Sequence, residues 1–231
     1  MLRSLFWKPY SHILIVGDNA GWSIDEDAAV LKKSMDALGI PSHIVKRVYF
    51  NIPQVVHYNS QFSLNEPSIY KSKHRISVDY YHGKPDQGEN FKRCFNSLKE
   101  NHAKISRVRV STREMEELLK TTGIDPAKIV RIPIGVDTKV FSPTTKEKRS
   151  AMRKELDIPE NATVIGSFQK DGVGWGEGTK PKLIKGPDIF LKVVGKLKQD
   201  IPNLGVLLSG PSRGFVKLGL ESLDIPYRHK Y

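Results

Sequence analysis

Residues 12–41 read H-I-L-I-V-G-D-N-A-G-W-S-I-D-E-D-A-A-V-L-K-K-S-M-D-A-L-G-I-P, and their reading sets the fold. His12 to Val16 is a continuous apolar run that stops at Gly17-Asp18, the pattern of a strand buried on both faces whose carboxyl end opens into a loop. Beyond that loop Val30, Leu31, Met35 and Leu38 recur at helical spacing, and Gly39 followed by Pro41 ends the helix. The order is strand, loop, helix.

Working outward, the same alternation repeats. Ser42 to Phe50 predicts a second strand, Gln54 to Tyr58 a short third, and Ile76 to Tyr81 a fourth ending at His82-Gly83. A helix with Phe91, Phe95 and Leu98 on one face follows, then a strand over Arg107 to Val110. A helix with Met115, Leu118 and Leu119 is closed by Gly123, and Ile129 to Ile132 is again strand-like. Strands and helices alternating on this scale predict an α/β protein with a doubly wound parallel sheet.

Phe141 to Arg149 is polar, contains Pro143 and lacks periodicity, so it reads as a link between domains at 1–143 and 144–231. The rhythm then restarts. Ala162 to Phe168 is strand-like, Gln169 to Lys182 a loop rich in Gly and Lys, and Pro187 opens a helix carrying Ile189, Phe190, Val193, Val194 and Leu197. Leu204 to Leu208, a short helix over Phe215 to Leu223 and a strand starting at Ile225 complete it. Doubly wound sheets hold about five or six strands, and three are legible here. The second domain therefore reads as incomplete and the chain as truncated, the alternative being a small subdomain packed on the first.

Composition narrows the function classes. The 231 residues include 39% apolar residues, enough for packed cores, and one cysteine, Cys94, which has no thiol partner for a disulfide or zinc site. A cytoplasmic location is expected. No stretch resembles a secretory signal or approaches the roughly 20 apolar residues of a membrane span. The net charge of +12 favours anionic partners: phosphorylated substrates, or peripheral contact with an anionic membrane at its inner face. Basic residues are scattered and mixed with acids, as in Lys146-Glu147-Lys148-Arg149, which argues against nucleic acid.

The first loop lacks the G-x-G-x-x-G spacing of dinucleotide enzymes, and no G-x-x-x-x-G-K-[ST] phosphate loop occurs. Asp25-Glu26-Asp27 matches a metal-binding D-x-D pattern, but it stands at a helix start, where carboxylates complement unpaired amides. No metal or other cofactor is expected. His82 follows a strand's carboxyl end, where an imidazole can serve a sugar hydroxyl or a leaving phosphate, or simply cap a turn. Lys170 follows the first strand of the second domain, and Lys185-Gly186-Pro187 leads into its first helix. Two ammonium groups beside a helix start suit a diphosphate, though lysines in a mobile loop have the same sequence. The run of alternate glycines at 172, 174, 176 and 178 indicates a flexible loop.

Three segments together form a pattern. Ile132-Pro133-Ile134-Gly135-Val136-Asp137 with Phe141-Ser142-Pro143, then Lys185-Gly186-Pro187-Asp188, then Leu204 to Pro211 (LGVLLSGP) resemble, in order and spacing, the signatures of the family-four glycosyltransferases, which have the GT-B fold. The resemblance implies two Rossmann-like domains facing a cleft, with an acceptor on the first and a nucleoside-diphosphate sugar on the second. It further implies transfer with retention to a hydroxyl of a glycan or lipid-linked acceptor, without metal.

By the same resemblance Lys185 and Gly186 match the family's donor-diphosphate site, and Lys170 stands where the pattern has arginine. His82 matches the catalytic histidine that reaches the donor sugar. Gly21 and Trp22 fall in the loop over the acceptor, and Gly135 and Asp137 border the interdomain cleft. The family's pair of glutamates eight positions apart has no match, so the nucleotide site is half built. A non-catalytic module binding a glycan or another anionic ligand is the alternative reading.

Overall fold

The structure is a computed structural model that describes residues 8–17, 21, 23–48 and 52–230. The chain divides into two compact units, Met1–Val136 and Asp137–Tyr231.

Unit 1 contains β1 (Ile13–Val16), α1 (Ser23–Ala37), β2 (Ser42–Val45), β3 (Val55–Tyr58), β4 (Arg75–Tyr80), α2 (Glu89–Asn101), β5 (Ile105–Val110), α3 (Arg113–Lys120) and β6 (Ile129–Arg131). Its six strands are all parallel, in the order β2-β1-β3-β4-β5-β6. The order reverses between β1 and β3, the switch point beside which open α/β sheets place their ligands. The expected second strand is shorter than read: pairing stops at Val45, and the far end of the expected strand, residues 49–50, lies outside the described residues.

Strand pleating sorts the sheet's side chains into two unlike faces. On one, Val56, Ile76, Val78, Tyr80, Val108 and Val110 pack with Cys94 and Leu98 of α2 and Met115 and Leu119 of α3, all buried in one core. The other face carries Ile15 beside α1, but also His57, Ser77, Asp79 and Arg109. The register pairs His57 with Ser77 and Asp79 with Arg109, so these polar residues stand side by side. Between β3 and β4 no α-helix crosses; two 3-10 turns, Gln61–Asn65 and Pro67–Lys71, supply Leu64 and Ile69 to the core.

Unit 2 contains α4 (Lys146–Glu155), β7 (Thr163–Phe168), α5 (Pro187–Asp200), β8 (Leu204–Ser209), α6 (Gly214–Ser222) and β9 (Tyr227–Lys230), with a parallel three-stranded sheet in the order β7-β8-β9. Val194 of α5 and Val216 and Leu220 of α6 bury one face of that sheet against Val206 and Leu208.

The segment read as the link between domains, Phe141 to Arg149, contains the start of α4, which its lack of periodicity did not indicate. Thr145 caps it, its hydroxyl oxygen accepting the Lys148 N–H at 3.3 Å, and Glu147 stands in the first turn. The helix is polar almost all round and anchors through Arg153, which donates to the Pro159 carbonyl at 2.6 Å and the Ala162 carbonyl at 3.1 Å. An apolar periodicity is absent because a cation, not an apolar stripe, holds the helix. Among the described residues no helix is long and apolar enough to cross a membrane.

Candidate functional site

In unit 2 the carboxyl ends of β7 and β8 lead into two helix starts, those of α5 and α6. The first four amides of any helix lack partners within it, so each start attracts a negative group. The two are treated differently. At α6 the Gly214 N–H donates to the Glu177 carbonyl at 2.6 Å and the Phe215 N–H to the Gly178 carbonyl at 3.0 Å. At α5, Gly186 is the N-cap, no side chain caps it, and Pro187 occupies the first turn.

Lys185 immediately precedes that start and is exposed, closing a 3-10 turn over Leu183–Lys185. Gln169 ties it to the end of β7: its side-chain amide donates to the Lys185 carbonyl at 2.9 Å. The segments carrying Lys170 and Lys185 are thereby joined, through a bond between residues 16 apart in sequence. The Lys170 ammonium lies 3.6 Å from the centroid of the Trp175 ring.

The α6 start depends on the glycine-rich segment, which is not the loose loop expected from its sequence. Gly172 bridges to Pro181, the Val173 N–H donates to the Lys180 carbonyl at 2.9 Å, and the Lys182 N–H to the Asp171 carbonyl at 2.7 Å. The Ser212 hydroxyl faces the carbonyls of Gly174 at 3.0 Å and Gly176 at 2.9 Å. Gly178, at φ 73°, lies so close to the Ser212 backbone that a Cβ would overlap it.

Beneath, Arg213 is buried and donates to the Ser167 carbonyl at 2.7 Å, the Ser209 carbonyl at 2.9 Å and the Ser167 hydroxyl at 2.8 Å, and it pairs with buried Asp171 at 3.1 Å. One guanidinium thus fastens the ends of β7 and β8 and the loop root together. Burial pushes the Asp171 carboxyl above the usual carboxylate range, opposed by the neighbouring guanidinium.

In unit 1, His82 is exposed just beyond β4. Gln61, buried after β3, grips the turn: its carbonyl oxygen accepts the Tyr81 N–H at 2.9 Å, and its amide donates to the His82 carbonyl. The Phe91 and His82 rings meet nearly at right angles, centroids 5.4 Å apart, and the Phe91 ring covers Gly83.

Behind this turn lies a charged cluster that the sequence reading missed. Asp79 is fully buried; Arg109 Nε stands 3.1 Å from one of its oxygens, and His57 Nε2 at 3.3 Å and the Tyr81 hydroxyl at 2.8 Å from the other. The Tyr81 hydroxyl also lies 2.9 Å from Asp27 and accepts from Arg109 at 2.6 Å. The signal was present: an acid inside the apolar run Ile76 to Tyr81, and arginines alternating with valines at 107–110.

The acids of the D-x-D pattern serve the helix start and this cluster. Asp25 and Glu26 occupy the first turn of α1, Asp25 accepts the Gly21 N–H at 2.7 Å, and Asp27 faces Tyr81. Among the described residues no three His, Cys, Asp or Glu side chains stand close enough to hold a metal ion. Trp22, expected beside Gly21 at the acceptor, lies outside the described residues. Gly135 and Asp137 flank the division between the units; Asp137 accepts the Phe141 N–H at 2.8 Å through its carbonyl and the Lys139 N–H at 2.9 Å through its carboxylate.

No protein-family model matches the chain. Two curated relatives do, both D-inositol 3-phosphate glycosyltransferases: that of Kineococcus radiotolerans is 32% identical over 107 residues, 43% of this chain and 21% of the relative, and that of Stackebrandtia nassauensis is 31% identical over 104 residues, 43% and 20%. The matched segments span about a fifth of those relatives. Among solved structures, HepE of Anabaena in complex with UDP superposes with a TM-score of 0.64 at 13% identity, over 95% of this chain and 69% of that one. A glycosyltransferase of Rickettsia africae superposes with a TM-score of 0.57 at 17% identity, over 97% and 69%. The chain is thus similar to glycosyltransferases in sequence over part of its length, and it has the α/β fold of the GT-B glycosyltransferases, short of their full extent.

Proposed function

We propose that the chain is part of a glycosyltransferase that takes a sugar from a nucleoside-diphosphate donor and passes it to a hydroxyl of a glycan or lipid-linked acceptor, with retention and without metal. One observation carries the reading: Gln169 joins the segments bearing Lys170 and Lys185 beside a helix start that no side chain caps. Two ammonium groups on joined segments and a set of helix amides suit a diphosphate, whose charge grows as the bond to the sugar breaks. HepE was solved with UDP and with UDP-glucose, so these are the first ligands to test.

In this mechanism the acceptor hydroxyl attacks the anomeric carbon on the face from which the diphosphate leaves, and the hydroxyl proton passes to the departing phosphate. Lys170 and Lys185 neutralise the leaving group, Gly186 lets it approach the α5 amides, and His82 orients the sugar. The protein contributes position and charge rather than covalent chemistry.

Calorimetric titration of the chain with UDP-glucose tests the proposal. Lys185→Ala should weaken binding about 10- to 100-fold, equivalent to roughly 1.5–3 kcal/mol for a lost charge-assisted bond. Unchanged affinity in that variant would remove Lys185 from the site. Binding of an acceptor glycan with no donor affinity at all would instead favour the non-catalytic module.

A further inference from the structure

The glycine-rich segment 171–181 is unexplained by diphosphate binding alone. Buried Arg213 and Asp171, the Ser212 hydroxyl and the bridge from Gly172 to Pro181 all fix it. Two consequences follow from its path. Its carbonyls at Glu177 and Gly178 accept the first two amides of α6, so these N–H groups are taken by the protein itself and not by a ligand anion. Its tip carries Trp175 to the Lys170 ammonium, 3.6 Å from the ring centroid.

A lysine side chain on a loop has four rotatable bonds, and ordering it on ligand binding opposes that binding. An indole face removes part of this freedom beforehand: it attracts the cation without neutralising it, whereas a carboxylate would compete with the incoming phosphate. We propose that segment 171–181 is a positioning arm, and that its Trp175 is a positioning residue holding Lys170 at the end of β7 in readiness for the donor diphosphate. The proposal rests on the reading of Lys170 as a diphosphate ligand.

Two measurements test it separately from that reading. The first needs no donor: reductive methylation with 13C-formaldehyde labels lysines and preserves their charge. The Lys170 dimethylamino resonance, assigned by its loss in Lys170→Met, should lie upfield of the other lysines from the ring current, and should return among them in Trp175→Leu but not in Trp175→Phe. A Lys170 resonance at the ordinary lysine position in the unaltered chain would overturn the positioning arm, whatever the chain binds.

The second is a double-mutant cycle with UDP as the probe, using Trp175→Leu, Lys170→Met and both together. Trp175→Leu alone should weaken UDP about 2- to 5-fold, the worth of an exposed cation–π contact, and Trp175→Phe less. In the Lys170→Met background Trp175→Leu should have no further effect. An equal loss in both backgrounds would mean that Trp175 acts through the loop's shape and not through Lys170. An upfield Lys170 signal together with no UDP binding by the unaltered chain would sink the donor-site reading and leave the Lys170–Trp175 pairing standing.

Discussion

Arg213→Met is the sharpest test of how unit 2 is built. The side chain is 1% exposed and joins three oxygens of β7 and β8 to the carboxylate of Asp171, itself 0% exposed. Methionine roughly matches the aliphatic part of arginine but leaves Asp171 buried without its cation. Removing one partner of a buried ion pair typically destabilises by about 3–5 kcal/mol, because the remaining charge stays desolvated. With a urea dependence of about 1–3 kcal/mol/M, the unfolding midpoint should fall by more than about 1 M.

The same reasoning fixes the pH dependence. Burial already raises the Asp171 pKa in the presence of Arg213, and without the guanidinium only a backbone hydrogen bond to the carboxyl still opposes that effect. A carboxyl whose folded pKa lies above its unfolded value of about 3.9 supports folding below the unfolded pKa and loses that support as pH rises through the folded one. The deficit of Arg213→Met should therefore be smaller at pH 4 than at pH 7. Adding Asp171→Leu should recover about half of it, with the carbonyls of Ser167 and Ser209 still lacking their donor. Urea unfolding followed by circular dichroism at both pH values measures all three. A single variant within about 1 kcal/mol of the parent, or one whose deficit grows on acidification, would refute the buried pair as the fastening of the loop.

Two further outcomes concern unit 1. Gly83→Ala meets both a backbone at φ 93° and the Phe91 ring, and should lower stability by roughly 1–3 kcal/mol while shifting the His82 ring signals in an NMR spectrum; an unperturbed spectrum would detach His82 from Phe91. The Cys94 thiol is fully buried, and burial pushes its pKa up to about 11 against the weaker pull of Asn65 and Arg93. It should not react with Ellman's reagent at pH 8 until denaturant is added, and immediate reaction would contradict its place on the buried face of α2.

Much of the fold was legible because burial leaves a local trace. The apolar run at 12–16, the apolar spacing of α2, α3 and α5, and the Pro187 start are each written within one element. The start of α4 was not, since Arg153 holds that helix through carbonyls six and nine residues on and leaves no apolar rhythm.

For the candidate site, the sequence by itself determined which residue types stand at strand ends and helix starts: His82 after β4, Lys170 after β7, Lys185 and Gly186 before α5. Their spacing named them because an element's ends are local properties. Only the tertiary structure decided that Gln169 reaches Lys185, that Trp175 underlies Lys170, that the glycine run closes α6, and that Asp79 gathers His57, Tyr81 and Arg109. Most of these contacts join residues far apart in the chain, and polar groups paired this way meet by geometry that no periodicity encodes. A flexible glycine tract and one fastened by a buried arginine have the same composition; the difference lies in what folds against them.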